Sequence, residues 1–92
     1  MIVSVRYLAQ LKQAAGCSCA QESLDAPARV EDLIALLARN NASLRRMLLT
    51  DDGGIQPTIL IFVGDEQARG DRLLTDGDEV TLMTPIAGGE GD

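Results

Sequence analysis

The C-terminal segment holds the residues whose types and order best suit chemistry. It reads Pro85-Ile86-Ala87-Gly88-Gly89 and continues with Glu90-Gly91-Asp92. Two successive glycines have no Cβ, so their backbone can lie extended in a narrow channel and adopt φ values that other residues avoid. Such a segment can carry a carboxyl group at Gly89 into the active site of another protein. By itself, Gly-Gly near a terminus also fits a frayed chain end.

The two cysteines are a second candidate, either as a redox pair or as half of a metal site. They form Cys17-Ser18-Cys19. A disulfide across one intervening residue would be strained, because the two Cα atoms lie near the limit of the allowed distance. Zinc needs about four ligands, and the chain has no other cysteine and no histidine. We therefore expect two small residues at a boundary between loop and strand, and no metal.

Composition restricts the remaining classes of function. The absence of histidine removes the commonest general base and the commonest metal ligand. Without a nucleophile–base pair, a metal set or a phosphate-binding loop, we do not expect an independent enzyme. The net charge of −6 and the near absence of aromatic residues predict no nucleic-acid binding, and the charge disfavours anionic membranes.

The sequence also indicates a location. The longest apolar stretch, residues 59–63, is far too short to span a bilayer. Residues 1–5 lead into Arg6 with no basic n-region before them, so we predict no signal peptide. The cytoplasm is the expected compartment.

The hydrophobic pattern predicts one α+β domain. Strands are expected at residues 2–8, 17–24, 58–63, 67–69 and 79–84. The strand at 58–63 is continuously apolar and therefore predicted to be central. Asp76-Gly77-Asp78 is typical of a tight turn. The element order predicts a mixed sheet of four to five strands with one main helix packed on one face.

The main helix is predicted from Val30 to Arg39. Apolar residues recur at i, i+3, i+4 and i+7, which places them on one face: Val30, Leu33, Ile34 and Leu37. Arg29 is a poor N-cap, so the start of this helix is less well marked than its middle. Short helical segments are expected at 11–16 and at 44–49, the second capped by Ser43.

The chain resembles the MoaD/ThiS family of ubiquitin-like sulfur carriers over nearly its whole length. Residues 74–80 (LTDGDEV) and 85–89 (PIAGG) are similar to the end of that family at the family's spacing. Residues 7–11 (YLAQL), with Ala15-Gly16 after them, resemble the start of the molybdopterin synthase small subunit. The helix that begins at residues 30–33 (VEDL) falls where the family has its main helix.

The resemblance implies a β-grasp fold, with a domain at residues 1–87 and a flexible tail at 88–92. It also implies a mechanism. A ubiquitin-activating-type enzyme uses ATP to adenylate the carboxylate of Gly89, and a sulfur donor converts the acyl-adenylate to a thiocarboxylate. Gly88 accompanies Gly89 in the channel, and a synthase accepts the sulfur. The carrier itself holds no permanent cofactor.

The resemblance further implies docking through the sheet face opposite the helix. If Val5 and Val80 point into the core, strand alternation directs Leu8 and Met83 outward. These two residues, followed along the tail by Pro85-Ile86-Ala87, form the predicted partner-binding surface. The alternative is that Leu8 and Met83 lie at the edge of the core under a loop.

The chain departs from the family by continuing past Gly89. The carbonyl of Gly89 is then part of a peptide bond and cannot be adenylated. We favour removal of residues 90–92 by a metalloprotease of the JAMM type or by another peptidase. This removal would change the side-chain charge from −6 to −4. The alternatives are a β-grasp binding module that has lost carrier chemistry, and an extension added to the natural sequence.

The first expectation for function is a molybdopterin synthase small subunit, whose Gly89 thiocarboxylate enters the large-subunit active site. A carrier for thiamine or for a sulfur-containing amino acid is the next alternative. Protein tagging through an isopeptide bond at Gly89, and a non-catalytic binding module, are the remaining alternatives.

Overall fold

The computed structural model describes residues 1–84. Our predictions for Pro85, Ile86, Ala87, Gly88 and Gly89 lie outside the described residues. The same holds for residues 90–92 and for the domain boundary between residues 87 and 88.

Strands and helices follow one another in an α+β order. The elements are β1 (Ile2–Leu8), α1 (Gln10–Ala15), β2 (Cys19–Ser23), β3 (Ala28–Arg29), α2 (Val30–Asn40), α3 (Ala42–Leu48), β4 (Leu60–Val63), β5 (Glu66–Gln67), β6 (Leu73–Leu74) and β7 (Glu79–Met83).

Five strands form one mixed sheet in the order β2-β1-β7-β4-β5. The first and last strands, β1 and β7, run parallel to each other, and the other neighbours in this sheet are antiparallel. β4 lies between β7 and the two-residue β5, so it is an interior strand, but the centre of the sheet is β7 and not β4 as predicted. The predicted mixed sheet with one main helix is confirmed.

The core lies between one face of this sheet and the helices. Its sixteen buried side chains are almost all aliphatic: Val3, Val5, Tyr7, Leu11, Val30, Leu33, Ile34, Leu37, Leu44, Leu48, Ile59, Ile61, Val63, Leu74, Val80 and Leu82. Among the described residues no charged side chain is buried. Burial of aliphatic area is therefore the main stabilising term.

The start of α2 is held by one local hydrogen bond and by two from a distant part of the chain. The Arg29 amide donates to the Asp32 carboxylate at 2.8 Å. The first-turn amides of Val30 and Glu31 each donate, at 2.9 Å, to a carbonyl oxygen in the 70–72 loop. A distant loop thus satisfies amides that would otherwise be unpaired at the helix start.

The predicted cap of α3 was wrong. Asn41, and not Ser43, precedes the helix in extended conformation, and its side-chain oxygen accepts from the amides of Ser43 and Leu44 at 2.9 and 3.1 Å. The Asn41 side chain also donates to the Ala14 carbonyl at 3.2 Å. Asn41 therefore ends α2, starts α3 and attaches both to α1.

Several strand limits also differ from prediction. β2 and β4 are shorter than the predicted 17–24 and 58–63, and β5 lies at Glu66–Gln67 rather than 67–69. The two-residue strands β3 and β6, which pair with each other, were not predicted. Strands this short contain no alternation from which they could be recognised.

The 76–78 turn positions β7 against β1. Gly77 adopts a φ of 88°, in the left-handed region that favours glycine. The Asp78 carboxylate accepts from the Thr75 amide at 2.8 Å, and the Asp76 carboxylate accepts from the Ile2 amide at 2.7 Å. The predicted tight turn is confirmed, and it attaches directly to the start of β1.

No helix within residues 1–84 is long and apolar enough to cross a membrane.

Leu82→Ala is expected to lower the free energy of unfolding by about 2–5 kcal/mol, because it leaves a cavity at a side chain with no exposed area. Urea unfolding measures the change. The matched control is Leu73→Ala, whose side chain is 50% exposed and whose loss should cost less than about 1 kcal/mol. Equal losses for the two variants would contradict the described core.

Candidate functional site

The last described strand, β7, ends beside the end of β1. Because β1 and β7 are parallel, both strands end at the same edge of the sheet, with Leu8 opposite Met83. Thr84 follows β7, and its hydroxyl is buried without a hydrogen-bond partner among the described residues. Met83, the last residue of β7, is held by its pairing with Leu8 and Leu60, and in the sequence it precedes Gly88 and Gly89 by only a few residues.

A band of apolar side chains crosses the sheet at this edge. Leu8 of β1, Met83 of β7 and Leu60 of β4 are direct cross-strand neighbours, and we call these three residues the apolar row. They lie on the face opposite the core, which we call the outer face, since Val5, Val80 and Leu82 have no exposed area. Leu8 is 37% exposed, and the other two are half-buried.

Away from this edge the outer face carries charged side chains beside the apolar Ile2 and Phe62. Arg6 lies 4.0 Å from the Glu79 carboxylate, and about half of each side chain is exposed. An ion pair this exposed contributes at most about 1 kcal/mol. The apolar row is therefore separate from this charged pair on the same face.

Leu8 and Met83 were predicted to point outward if Val5 and Val80 point into the core, and the structure shows this arrangement. Val5 and Val80 are paired and fully buried, and Leu8 and Met83 are directed to the outer face. Their role in binding a partner stays a prediction, as do the roles of Gly88 and Gly89.

Leu60 and Phe62 are site residues that sequence reasoning missed. We interpreted 58–63 as a continuously apolar strand, whereas Leu60 and Phe62 are half-buried on the outer face and Ile61 and Val63 are buried. Strand alternation could have predicted the outward position of Leu60 and Phe62. Successive residues of a strand point to opposite faces even where all of them are apolar.

One cysteine lies on the edge strand β2 and the other in the loop before it. Cys19 begins β2 and pairs in register with Arg6, whereas Cys17 lies in the preceding loop. The predicted position at a boundary between loop and strand is confirmed. Both thiols are free and exposed. Within residues 1–84, no group of three or more potential metal ligands occurs.

Tyr7 precedes Leu8 but is directed to the core, where its side chain is 2% exposed. Burial raises the pKa of its phenol to about 12, and the charges of Glu22 and Cys17 act in the same direction. The phenol is therefore protonated at neutral pH, and it is unsuited to act as a general base.

Comparison with known proteins identifies one sequence family. The model of the ThiS family matches residues 5–89. No curated protein matches the chain significantly.

Solved structures are similar over almost the entire chain. SAMP1 from Haloferax volcanii is 26% identical, with a TM-score of 0.90 over 97% of this chain and 100% of that one. The putative molybdopterin converting factor subunit 1 from Pyrococcus furiosus is 27% identical, with a TM-score of 0.78 over 94% and 99% of the two chains. These likenesses confirm the predicted β-grasp fold.

A chain of the Amycolatopsis orientalis BexX/CysO complex also matches. It is 23% identical, with a TM-score of 0.75 over 95% of this chain and 99% of that one. At this identity the likeness shows the fold alone.

The pKa of Tyr7 predicts a loss of stability at alkaline pH. The folded protein holds the phenol proton more tightly than the unfolded chain, whose pKa is near 10.0. The resulting stabilisation is complete below pH 10 and is lost as pH rises towards 12. The test is the difference in unfolding free energy between the wild type and Tyr7→Phe across this interval.

Tyr7 is the only tyrosine in the chain, so the ultraviolet absorbance of tyrosinate reports its ionisation directly. A folded-state midpoint near 10 would contradict the burial of the phenol.

Proposed function

The chain belongs to the ThiS family, and we propose that it carries sulfur as a thiocarboxylate at Gly89 for use in cofactor biosynthesis. Proteins of this family are small ubiquitin-like carriers that act with partner enzymes, so the chain is a carrier and not an independent enzyme. The observation that carries the proposal is the extent of the family match. It includes Gly88 and ends at Gly89, so the extension at 90–92 lies outside it.

In the proposed reaction, a ubiquitin-activating-type enzyme binds ATP and joins AMP to the Gly89 carboxylate, releasing pyrophosphate. A sulfur donor then attacks the carbonyl carbon, AMP leaves, and the thiocarboxylate remains. The carrier holds no permanent cofactor, because ATP stays with the partner. We expect these steps in the cytoplasm, where ATP is available.

The reaction requires a free carboxylate at Gly89. We propose that a peptidase, with the JAMM type as first candidate, removes residues 90–92 before activation. Loss of Glu90 and Asp92 also removes two negative charges beside the reacting carboxyl group. Cleavage therefore both creates the reactive group and reduces its repulsion from the phosphates of ATP.

The apolar row has the position required of a docking surface. Leu8, Met83 and Leu60 are anchored by paired strands and lie at the end of β7, the last strand before Gly88 and Gly89 in the sequence. A partner that buries this row would hold residue 84 at a fixed point while the following residues enter its active site. Positioning of this kind lowers the entropic cost of the reaction.

The first choice of acceptor is a molybdopterin synthase large subunit. Support comes from the 27% identity to the putative molybdopterin converting factor subunit 1, which covers 99% of that chain. In this arrangement the Gly89 thiocarboxylate would enter the large-subunit active site and donate sulfur to a pterin precursor. Thiamine or sulfur-containing amino-acid synthesis is the alternative pathway for the same carrier chemistry.

A second candidate function is protein tagging. It is favoured by the TM-score of 0.90 with SAMP1, a small archaeal modifier protein. In that case a lysine amine of the target, and not sulfur, would attack the acyl-adenylate or a thioester derived from it.

The chain ending at Gly89 is expected to form a thiocarboxylate when mixed with the activating enzyme of its native host, ATP and sulfide. Intact mass spectrometry should show the gain that accompanies replacement of one oxygen by sulfur. The matched control is the chain ending at Asp92, which should remain unchanged. Activation of both chains, or of neither, would contradict the proposal.

The intact mass of the protein isolated without tags from its host distinguishes the carrier, the protein tag and the binding module. Loss of residues 90–92 together with the sulfur gain supports the carrier, whereas an isopeptide-linked Gly89 on other proteins supports tagging. An unmodified full-length mass while the pathway is active would favour the binding module.

Leu8→Gln is expected to lower kcat/KM for activation of the Gly89-ended chain by about tenfold, because it places a polar group in the apolar row. Pyrophosphate release measures the rate. Ile2→Gln is the matched control: Ile2 is 45% exposed on the same face of β1 but at its other end. Equal effects of the two substitutions would argue against docking through the apolar row.

A further inference from the structure

Positive charge is concentrated in one part of this acidic chain. Residues 33–50 contain Arg39, Arg45 and Arg46 and no acidic residue. All fourteen acidic residues and five of the eight basic ones lie elsewhere in the sequence. The helical region is thus positively charged although the net charge is −6.

The helices form a shallow depression at this location, which we call the arginine groove. Three alanines, one leucine and two arginines of α2, α3 and the residue after α3 line it: Ala35, Ala38, Arg39, Ala42, Arg45 and Leu49. An adjoining hollow shares Ala42, Arg45 and Leu49 and extends to Arg46. Small apolar side chains therefore lie between exposed guanidinium groups.

These guanidinium groups have no carboxylate partner among the described residues. The ion pairs within residues 1–84 are Arg6–Glu79 and Arg72–Glu66. Arg46 donates only to the Ser43 hydroxyl, at 3.5 Å. Asp51 lines the adjoining hollow but is not within ion-pair distance of an arginine. Position near a helix C-terminus stabilises a cation, but it leaves the planar set of guanidinium donors available.

We propose that the arginine groove binds an acidic segment of a partner protein that also carries aliphatic side chains. A guanidinium group presents paired N–H donors that match a carboxylate. The alanines and Leu49 leave room for an aliphatic side chain beside those charges. Nucleic acid fits less well, because the groove has no aromatic side chain on which bases could stack.

The arginine groove is distinct from the carrier site. It lies on the helices, whereas the apolar row and Thr84 belong to the opposite face and its edge. A partner in the groove would leave the apolar row uncovered. The proposal therefore goes beyond sulfur transfer and does not depend on it.

The test is a titration of the full ¹⁵N-labelled chain with a synthetic amphipathic peptide of glutamate and leucine at helical spacing. Amide shifts should concentrate at Ala35, Ala38, Ala42 and Leu49. Affinity should fall as salt rises from about 0.05 M to about 0.5 M. An all-glutamate peptide should bind at least about tenfold more weakly, because it cannot fill the apolar floor.

Arg45→Glu should weaken peptide binding by about tenfold, and Arg45→Gln by less. Arg69→Glu is the matched control, since it makes the same change in net charge at an exposed arginine away from the groove. The dispersion of the amide spectrum verifies that each variant is folded.

Four results would overturn the proposal. The first is that Arg45→Glu and Arg69→Glu weaken binding of the glutamate–leucine peptide equally. The second is that a lysine–leucine peptide binds with the same affinity as that peptide. The third is that a single-stranded oligonucleotide binds more tightly than that peptide. The fourth is concentration-dependent shifts at the groove without peptide, which would indicate a second copy of the chain as its occupant.

Discussion

The parallel pairing of β1 with β7 is the interaction on which the rest of the molecule depends. It joins the two ends of the described chain at the centre of the sheet and places Val5 directly opposite Val80. Both side chains have no exposed area, so a shift of one residue in register would move valines to the outer face and polar residues to the core. The register that stabilises the core is therefore also the one that aligns Leu8 with Met83.

The segment between β5 and β7 stabilises this pairing and the main helix together. At one end, its 70–72 carbonyls accept the first amides of α2. At the other end, Asp76 accepts the amide of Ile2 at the start of β1. One connection of about ten residues thus controls both the helix start and the strand register, although it contains little regular structure itself.

This division of labour suits a carrier. The core is aliphatic and contains no buried charge among the described residues, so its stability does not depend on an ionisable active site. The proposed chemistry belongs to Gly89 and the partner's active site, and recognition belongs to the surfaces. The apolar row and the arginine groove lie on opposite faces and differ in character, so the two proposed contacts would not compete for one surface.

The sequence by itself determined the elements that have a clear period and the residues that have a distinctive order. Alternation along β1 and β7, the apolar face of α2, and the Asp-Gly-Asp turn are local patterns whose geometry follows from a few successive residues. The resemblance to the family likewise depended on short motifs, above all Gly88-Gly89, and needed no coordinates.

Only the tertiary structure decided features that depend on residues far apart in the chain. The α2 start relies on carbonyls some forty residues away, the β3–β6 pair is two residues long, and Asn41 replaces Ser43 as cap because of the backbone conformation between two helices. Leu60 joins Leu8 and Met83 only through the strand order β1-β7-β4. Periodicity assigns a residue to a face, but which neighbours share that face is set by long-range pairing, and no local pattern contains it.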